Sequence, residues 1–344
     1  MSRDARWRMP SEADPHERTW MAFPPSTLAL GADADEIAVA RRVWSETAHA
    51  VLAFEPVTML VDPADVAAAR QMLSSEVTLV EQPLDDAWMR DVGPTFVLDD
   101  EGQLGGVDWT FNGWGGQKWA SWGRDSQVAA AIIDLVGCTH LASTLVNEGG
   151  GIHVDGLGTV LVTETVQLDP GRNPGLTKSD VERELAVMIG VDNVIWLRRG
   201  LARDYEDLGT RGHVDMVATF PSAGCVLLHD QRNTEHPDHE LTADVLKTLA
   251  EATDSRGKPF EIVRLPAPMT LRDKDDFVDY TYINHLVVNG GVIACTFGDS
   301  VDGEALDVLA SAYPGRKVVG VDAREIFARG GGIHCITQQQ PVAT

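Results

Sequence analysis

The stretch Gly149-Gly150-Gly151-Ile152-His153 recurs as Gly330-Gly331-Gly332-Ile333-His334. Five identical residues at two distant places constrain the fold strongly, because three successive glycines let a backbone turn tightly or press against a neighbour. Weaker echoes surround the pair. His153-Val154-Asp155 leads through 156–158 into Thr159-Val160-Leu161-Val162-Thr163. His213-Val214-Asp215 leads through Ser222-Ala223-Gly224 into Cys225-Val226-Leu227-Leu228, and Asn284-His285-Leu286-Val287-Val288 leads through Asn289-Gly290-Gly291 into Val292-Ile293-Ala294. With Asp91, His153, His213, Asn284 and His334 as anchors, the intervals are 62, 60, 71 and 50 residues. Such periods signal radial or solenoid repetition. The expectation is an α/β propeller of five pseudo-symmetric ββαβ units, each placing one polar strand end near a central axis.

Local patterning agrees with α/β architecture. Ile37, Ala40, Val43, Trp44, Ala48, Val51 and Leu52 recur at helical spacing and predict an amphipathic helix over 34–53. A buried strand follows at 57–61, a short helix over 63–74 opening at Pro63, and a strand at 77–80. Helices near 124–136, 177–189, 239–252 and 302–312 would form an outer layer. No Pro/Gly/Ser-rich linker divides the chain. A polar leader over 1–8 and one domain over 9–344 are expected.

The net charge of −24, from 28 basic and 52 acidic residues, disfavours nucleic acid and anionic membrane as partners and favours a small cationic one. No apolar run is long enough to span a bilayer. The four cysteines are scattered without CxxC spacing, which argues against a disulfide framework or a zinc knuckle and fits a reducing cytoplasm. Cys138, Cys225 and Cys295 read as inert buried thiols.

Polar residues crowd the glycine-rich positions: Arg90-Asp91 after an aspartate pair, Glu148 before the first triple glycine, His213 and Asp215 two apart, and Cys335 between isoleucines. If 212–215 is a strand, His213 and Asp215 face the same side. Cys335 reads as the end of a short buried strand. Converging carboxylates repel each other unless a cation lies between them. That cation is a metal or a planar guanidinium, which two carboxylates can hold bidentately. A thiolate can attack the central carbon of a guanidinium, with a histidine protonating the departing ammonia and then activating water. This chemistry needs no cofactor.

Four segments carry a resemblance: Asp86-Ala87-Trp88-Met89-Arg90-Asp91-Val92-Gly93-Pro94-Thr95-Phe96, Asn147-Glu148-Gly149-Gly150-Gly151-Ile152-His153-Val154-Asp155-Gly156, Gly212-His213-Val214-Asp215, and Gly332-Ile333-His334-Cys335-Ile336-Thr337-Gln338-Gln339-Gln340-Pro341. They resemble the agmatine deiminase family, relatives of bacterial peptidylarginine deiminase, over nearly the whole chain. Met9-Pro10-Ser11-Glu12, Asn173-Pro174 and Trp196-Leu197-Arg198-Arg199-Gly200-Leu201 fit as well. The resemblance implies a five-bladed pentein fold and hydrolysis of agmatine to N-carbamoylputrescine and ammonia through a covalent thiouronium. It implies Cys335 as nucleophile, His213 as general acid/base, Asp91 and Asp215 as holders of the guanidinium nitrogens, and Glu148 as an orienting carboxylate. Asp86, Trp88, Trp114 and Gly332 would line the substrate channel, His153 and His334 would be structural, and a homodimer is expected.

The sequence departs from the family's Thr-Asn-Gly-His at Thr210-Arg211-Gly212-His213. An Arg211 facing the pocket would favour a carboxylate-bearing guanidino acid or a C-terminal arginine. An Arg211 paired outside, with Glu206 or Asp207, keeps agmatine in front. Transfer of the amidino group to an amine is a further alternative.

Overall fold

The computed structural model describes residues 6–27, 30–31, 33–274 and 276–344, so the first five residues of the expected leader lie outside the described residues. The strands form five small sheets. Parallel strands β1 (His16–Ala22), β2 (Val57–Val61) and β3 (Thr78–Glu81) make the first. In the second, β4 (Thr95–Leu98) runs antiparallel to β5 (Leu104–Thr110), which is parallel to β6 (Thr139–Val146). The same order recurs with β7 (Ile152–Val154), β8 (Thr159–Thr163) and β9 (Asn193–Leu197). It recurs again with β10 (Ala218–Ser222), β11 (Cys225–Asp230) and β12 (Glu261–Pro266). Last come β13 (Leu286–Val288), β14 (Gly291–Thr296) and β15 (Lys317–Asp322). Strand β16 (Thr337–Pro341) then returns to pair antiparallel with β1, giving the first sheet the hairpin-like partner that the others have.

Each antiparallel pair is followed by a helix and a parallel strand. The helices are Ala34–Leu52, Val128–Val136, Lys178–Ile189, Asp238–Glu251 and Asp302–Ala312. Ala34–Leu52 starts where the Asp33 carboxylate accepts from the amides of Asp35 and Glu36. It buries Ala40, Val43, Trp44, Ala48 and Val51, the stripe anticipated from spacing. Lys178–Ile189 begins with a reciprocal capping box between Thr177 and Asp180 and ends at Gly190, whose φ of 70° suits glycine. The short helix is confined to Val66–Met72, because Asp62 closes a turn over Ala64 and Asp65.

Two expected strands are turns. Val214–Met216 is a 3₁₀ turn, and Cys335 precedes β16 instead of ending a strand. In the first case the buried Asp204 carboxylate accepts from the amides of Thr210, Gly212 and His213 at 2.6, 2.6 and 3.1 Å, which curls the segment. In the second, the Asn284 side-chain oxygen accepts from the amides of His334 and Cys335 at 3.0 and 3.4 Å. Amides taken by a side chain are lost to a strand partner.

Among the described residues, no helix is long and apolar enough to cross a membrane.

Candidate active site

The two turns and the two glycine-rich segments meet at a buried polar centre. Cys335 Sγ lies 3.7 Å from Asp215 Oδ2, and the Asn284 side-chain amide donates to the sulfur at 3.2 Å. The Gly332 amide also points at the sulfur and favours its thiolate. A Cβ on Gly331 would sit 3.0 Å from Sγ and 2.8 Å from the Trp88 ring, so only a bare backbone fits there.

His213 is fully buried. Its Nε2 lies 3.2 Å from Glu148 Oε2, and its Nδ1 lies 3.8 Å from Asp91 Oδ1. Gly150 forms the wall behind the ring: a Cβ there would lie 2.4 Å from Nδ1. Asp91 is held by the Gly150 amide at 3.1 Å on one oxygen and the Trp114 indole at 2.9 Å on the other. Trp114 is fixed in turn by stacking on Trp119, with ring centroids 5.1 Å apart.

These contacts set the charges. Burial alone would lower the His213 pKa, but Asp91, Glu148 and Asp215 raise it to about 9. Burial works to raise Glu148, yet Arg172 and His213 outweigh it and hold that carboxyl at about 2. Burial raises Asp91 to about 6, with Glu148 and Asp215 adding to the rise against the pull of His213. Asp215 goes down despite burial, because His334, His213 and Arg90 surround it. Burial, Asp215 and Asp91 push the Cys335 thiol well above its ordinary range. The resting centre therefore pairs a neutral thiol with an imidazolium at neutral pH.

Two buried polar atoms here have no hydrogen-bond partner among the described residues, Asp215 Oδ1 and His213 Nδ1. Buried polar atoms are normally satisfied, and one left alone costs roughly 1–3 kcal/mol, so such atoms mark where a ligand's groups fit. A planar cation donating several N–H groups suits Asp91, Asp215 and the sulfur together.

The structure thus brings Asp91, Glu148, His213, Asp215 and Cys335 together, with Trp88, Trp114 and Gly332 against them. Asp86 stands behind Trp88, accepting from its indole and from the Ala87 amide at 2.8 Å; burial pushes its carboxyl to about 7. Sequence reasoning missed several neighbours. Arg172, completely buried, donates to both Glu148 oxygens at 3.0 and 3.1 Å, to Asp169 at 2.9 Å and to the Thr210 carbonyl at 2.7 Å. Its only sequence signal is its place before Asn173-Pro174. Asn284 was visible as an anchor without a role. His334, expected to be structural, bonds Asp215 at 2.7 Å through Nδ1 and Glu12 at 2.9 Å through Nε2.

Glu12, His153 and His334 also bring ligand-type atoms within 4.8 Å of one another. Their lone pairs and protons are already matched. His153 accepts from the Phe220 amide at Nδ1 and meets Thr219 at Nε2, while Arg90 approaches Glu12 at 3.4 Å. That arrangement is a hydrogen-bonded one, with a guanidinium already serving Glu12.

Arg211 does not join the centre. It pairs with Asp169 at 3.5 Å, and not with Glu206 or Asp207, in an outer groove with Leu168, Arg198 and Tyr205. Its φ of 69° is left-handed, a conformation asparagine tolerates better than most residues. The asparagine of the Thr-Asn-Gly-His pattern thus matches a backbone requirement of this turn.

Small sheets of antiparallel-then-parallel order, with a buried cysteine, histidine and carboxylates between them, define a pentein-type α/β protein. More specifically, the chain belongs to the Porphyromonas-type peptidyl-arginine deiminase family, whose sequence model matches residues 8–341. A relative from Streptomyces coelicolor is 54% identical over 97% of this chain and 99% of its own. The agmatine deiminase of Stutzerimonas stutzeri is 40% identical over 97% of this chain and 95% of its own. The solved agmatine deiminase of Enterococcus faecalis superposes with a TM-score of 0.92 at 34% identity, covering 98% of this chain and 96% of that one.

Proposed function

We propose that the chain is a guanidine deiminase that hydrolyses agmatine to N-carbamoylputrescine and ammonia. The observation that carries this reading is the convergence of the Cys335 sulfur, Asp91, the unpaired Asp215 oxygen and the Glu148-held His213 in one buried space. Support comes from the agmatine deiminases that the chain resembles along almost its full length.

The proposed course follows from the charges. Asp91 and Asp215 receive the guanidinium nitrogens, and the cation beside Sγ offsets the carboxylates that keep the thiol protonated. The thiol proton is lost to solvent as the cation enters, and the thiolate attacks the guanidinium carbon to give a neutral tetrahedral adduct. The imidazolium of His213 protonates one nitrogen, the C–N bond breaks, and ammonia departs, leaving an S-linked thiouronium. Neutral His213 then takes a proton from water, hydroxide adds to the same carbon, and the C–S bond breaks; the proton left on the new hydroxyl passes to the sulfur, releasing the neutral ureido product and restoring the thiol. Glu148 keeps the imidazole oriented throughout, and Arg172 keeps Glu148 ionised. In this reading Trp88, Trp114 and Gly332 line the substrate and Asp86 steadies Trp88.

The same reading takes the five sheets as blades of one closed propeller and expects a cytoplasmic homodimer that binds neither nucleic acid nor membrane. Assaying ureido product from agmatine, arginine, 4-guanidinobutyrate and a peptide ending in arginine tests the substrate. Agmatine is expected to react fastest, and turnover confined to the carboxylate-bearing compounds would overturn the assignment.

A further inference from the structure

Consecutive glycines wall two spaces. Gly331 backs onto Cys335 Sγ, and Gly330, one Cα step of about 3.8 Å along, lines a cavity whose floor includes Leu208, Asp279, Tyr280 and Phe327. The Tyr280 and Phe327 rings lie 5.1 Å apart and give it an aromatic side. The remaining charges sit at the rim. Arg203 is engaged by Asp273 at 2.8 Å, by the Phe277 carbonyl and by Glu206, while Asp207 and Lys274 are exposed.

Asp279 differs from these. No cation among the described residues lies within ion-pair distance of its recessed carboxyl. Burial, Asp204 and Asp238 push that carboxyl up to about 7, and Arg203 only partly opposes them. A carboxylate in such surroundings is stabilised by an incoming cation. The sequence offers no role for it, since it lies outside every motif singled out above.

We propose that Asp279 determines specificity at the far end of the substrate: the cavity beside Gly330 takes the methylene tail, and Asp279 receives its terminal ammonium. Tyr280 and Phe327 flank the tail and add cation–π attraction. The proposal rests on the deiminase reading and names the group that distinguishes agmatine from guanidines with a neutral or acidic tail. It also accounts for why Arg211, held outside on Asp169, need not influence that choice.

The test compares agmatine with butylguanidine, which has the same length but no ammonium, in the wild-type chain and in Asp279→Asn. The wild type is expected to prefer agmatine. Asp279→Asn is expected to raise the agmatine KM about tenfold with kcat within about twofold, leaving butylguanidine unchanged, in line with loss of one recessed charge pair. Butylguanidine turnover doubles as the control for folding. Unchanged selectivity, or an equal loss on both substrates, overturns the role of Asp279. Absence of ureido product from both substrates in the wild type overturns the deiminase reading instead.

Discussion

The two Gly-Gly-Gly-Ile-His copies begin alike and end differently. The middle glycine of each backs onto a side chain of the buried centre, Gly150 onto His213 and Gly331 onto Cys335. After that the first copy runs straight into β7, with His153 opposite Leu161 of β8. The second stays curled, because Asn284 captures the amides of His334 and Cys335. The two imidazoles finish 6.2 Å apart, both close to Glu12, yet only His334 touches Asp215. A repeated sequence therefore delivers backbone to the centre twice. A side chain from elsewhere in the chain decides whether the next residue continues into a strand or stays in a turn at the buried centre.

The residues following the copies should differ most when altered. Cys335→Ser is expected to lower kcat by at least about 10⁴-fold while agmatine still binds by calorimetry. Val154→Ala, its positional counterpart, should only lower stability by about 1–3 kcal/mol in a denaturant titration. Substantial turnover by the serine variant would end the distinction between the copies. Next, Gly150→Ala and Gly331→Ala should each reduce kcat about 100-fold by displacing His213 and Cys335. If one of them keeps activity within twofold, the parallel between the middle glycines fails.

A smaller contrast is expected for the histidines. His334→Gln should cost about tenfold in kcat/KM by loosening Asp215, whereas His153→Gln should leave kcat/KM within about twofold and show mainly in the melting temperature. Equal kinetic losses would place both rings in one functional unit. The smallest effects are the positions of the pH limbs. In the proposed course Asp91 is ionised to hold the guanidinium, so kcat/KM should rise with pH through about 6. In the same course His213 is protonated to release ammonia, so kcat/KM should fall through about 9. Both limbs should survive His153→Gln in place, and a shift of a full pH unit would tie the first histidine to the chemistry.

Much of this was readable in the chain. The helix Ala34–Leu52 declares itself because Ala40, Val43, Trp44, Ala48 and Val51 follow the helical period, a purely local signal. Cys335, His213 and the glycine copies were legible from a motif and an internal repeat. The turns at His213 and Cys335 were not, because their cause is the acceptor on Asp204 in one case and on Asn284, some 50 residues away, in the other. Periodicity sees neighbours along the chain, and a strand is its natural reading of His-Val-Asp. Arg172 was hidden for a related reason: an arginine in a proline-containing loop looks solvated until Glu148, Asp169 and Thr210 are seen to enclose it. Glu12 stood out only as part of the Met9-Pro10-Ser11-Glu12 segment, and nothing local disclosed its bond to His334 across 322 residues.

The pairing of β16 with β1 has a kinetic consequence. The Trp20 indole donates to Gln340 across 320 residues, so this contact closes almost the longest loop the chain can make. Closing a flexible loop of that length costs on the order of 5 kcal/mol of chain entropy, recovered only after the strands dock. Until then β1 has a partner along one edge only, and an unpaired edge can capture another chain. The thiol acquires its partners in the same late step, since the Cys335 turn is immediately followed by β16. During refolding, sheet and helix signals should therefore recover well before activity, and dilution should favour the active form over aggregates.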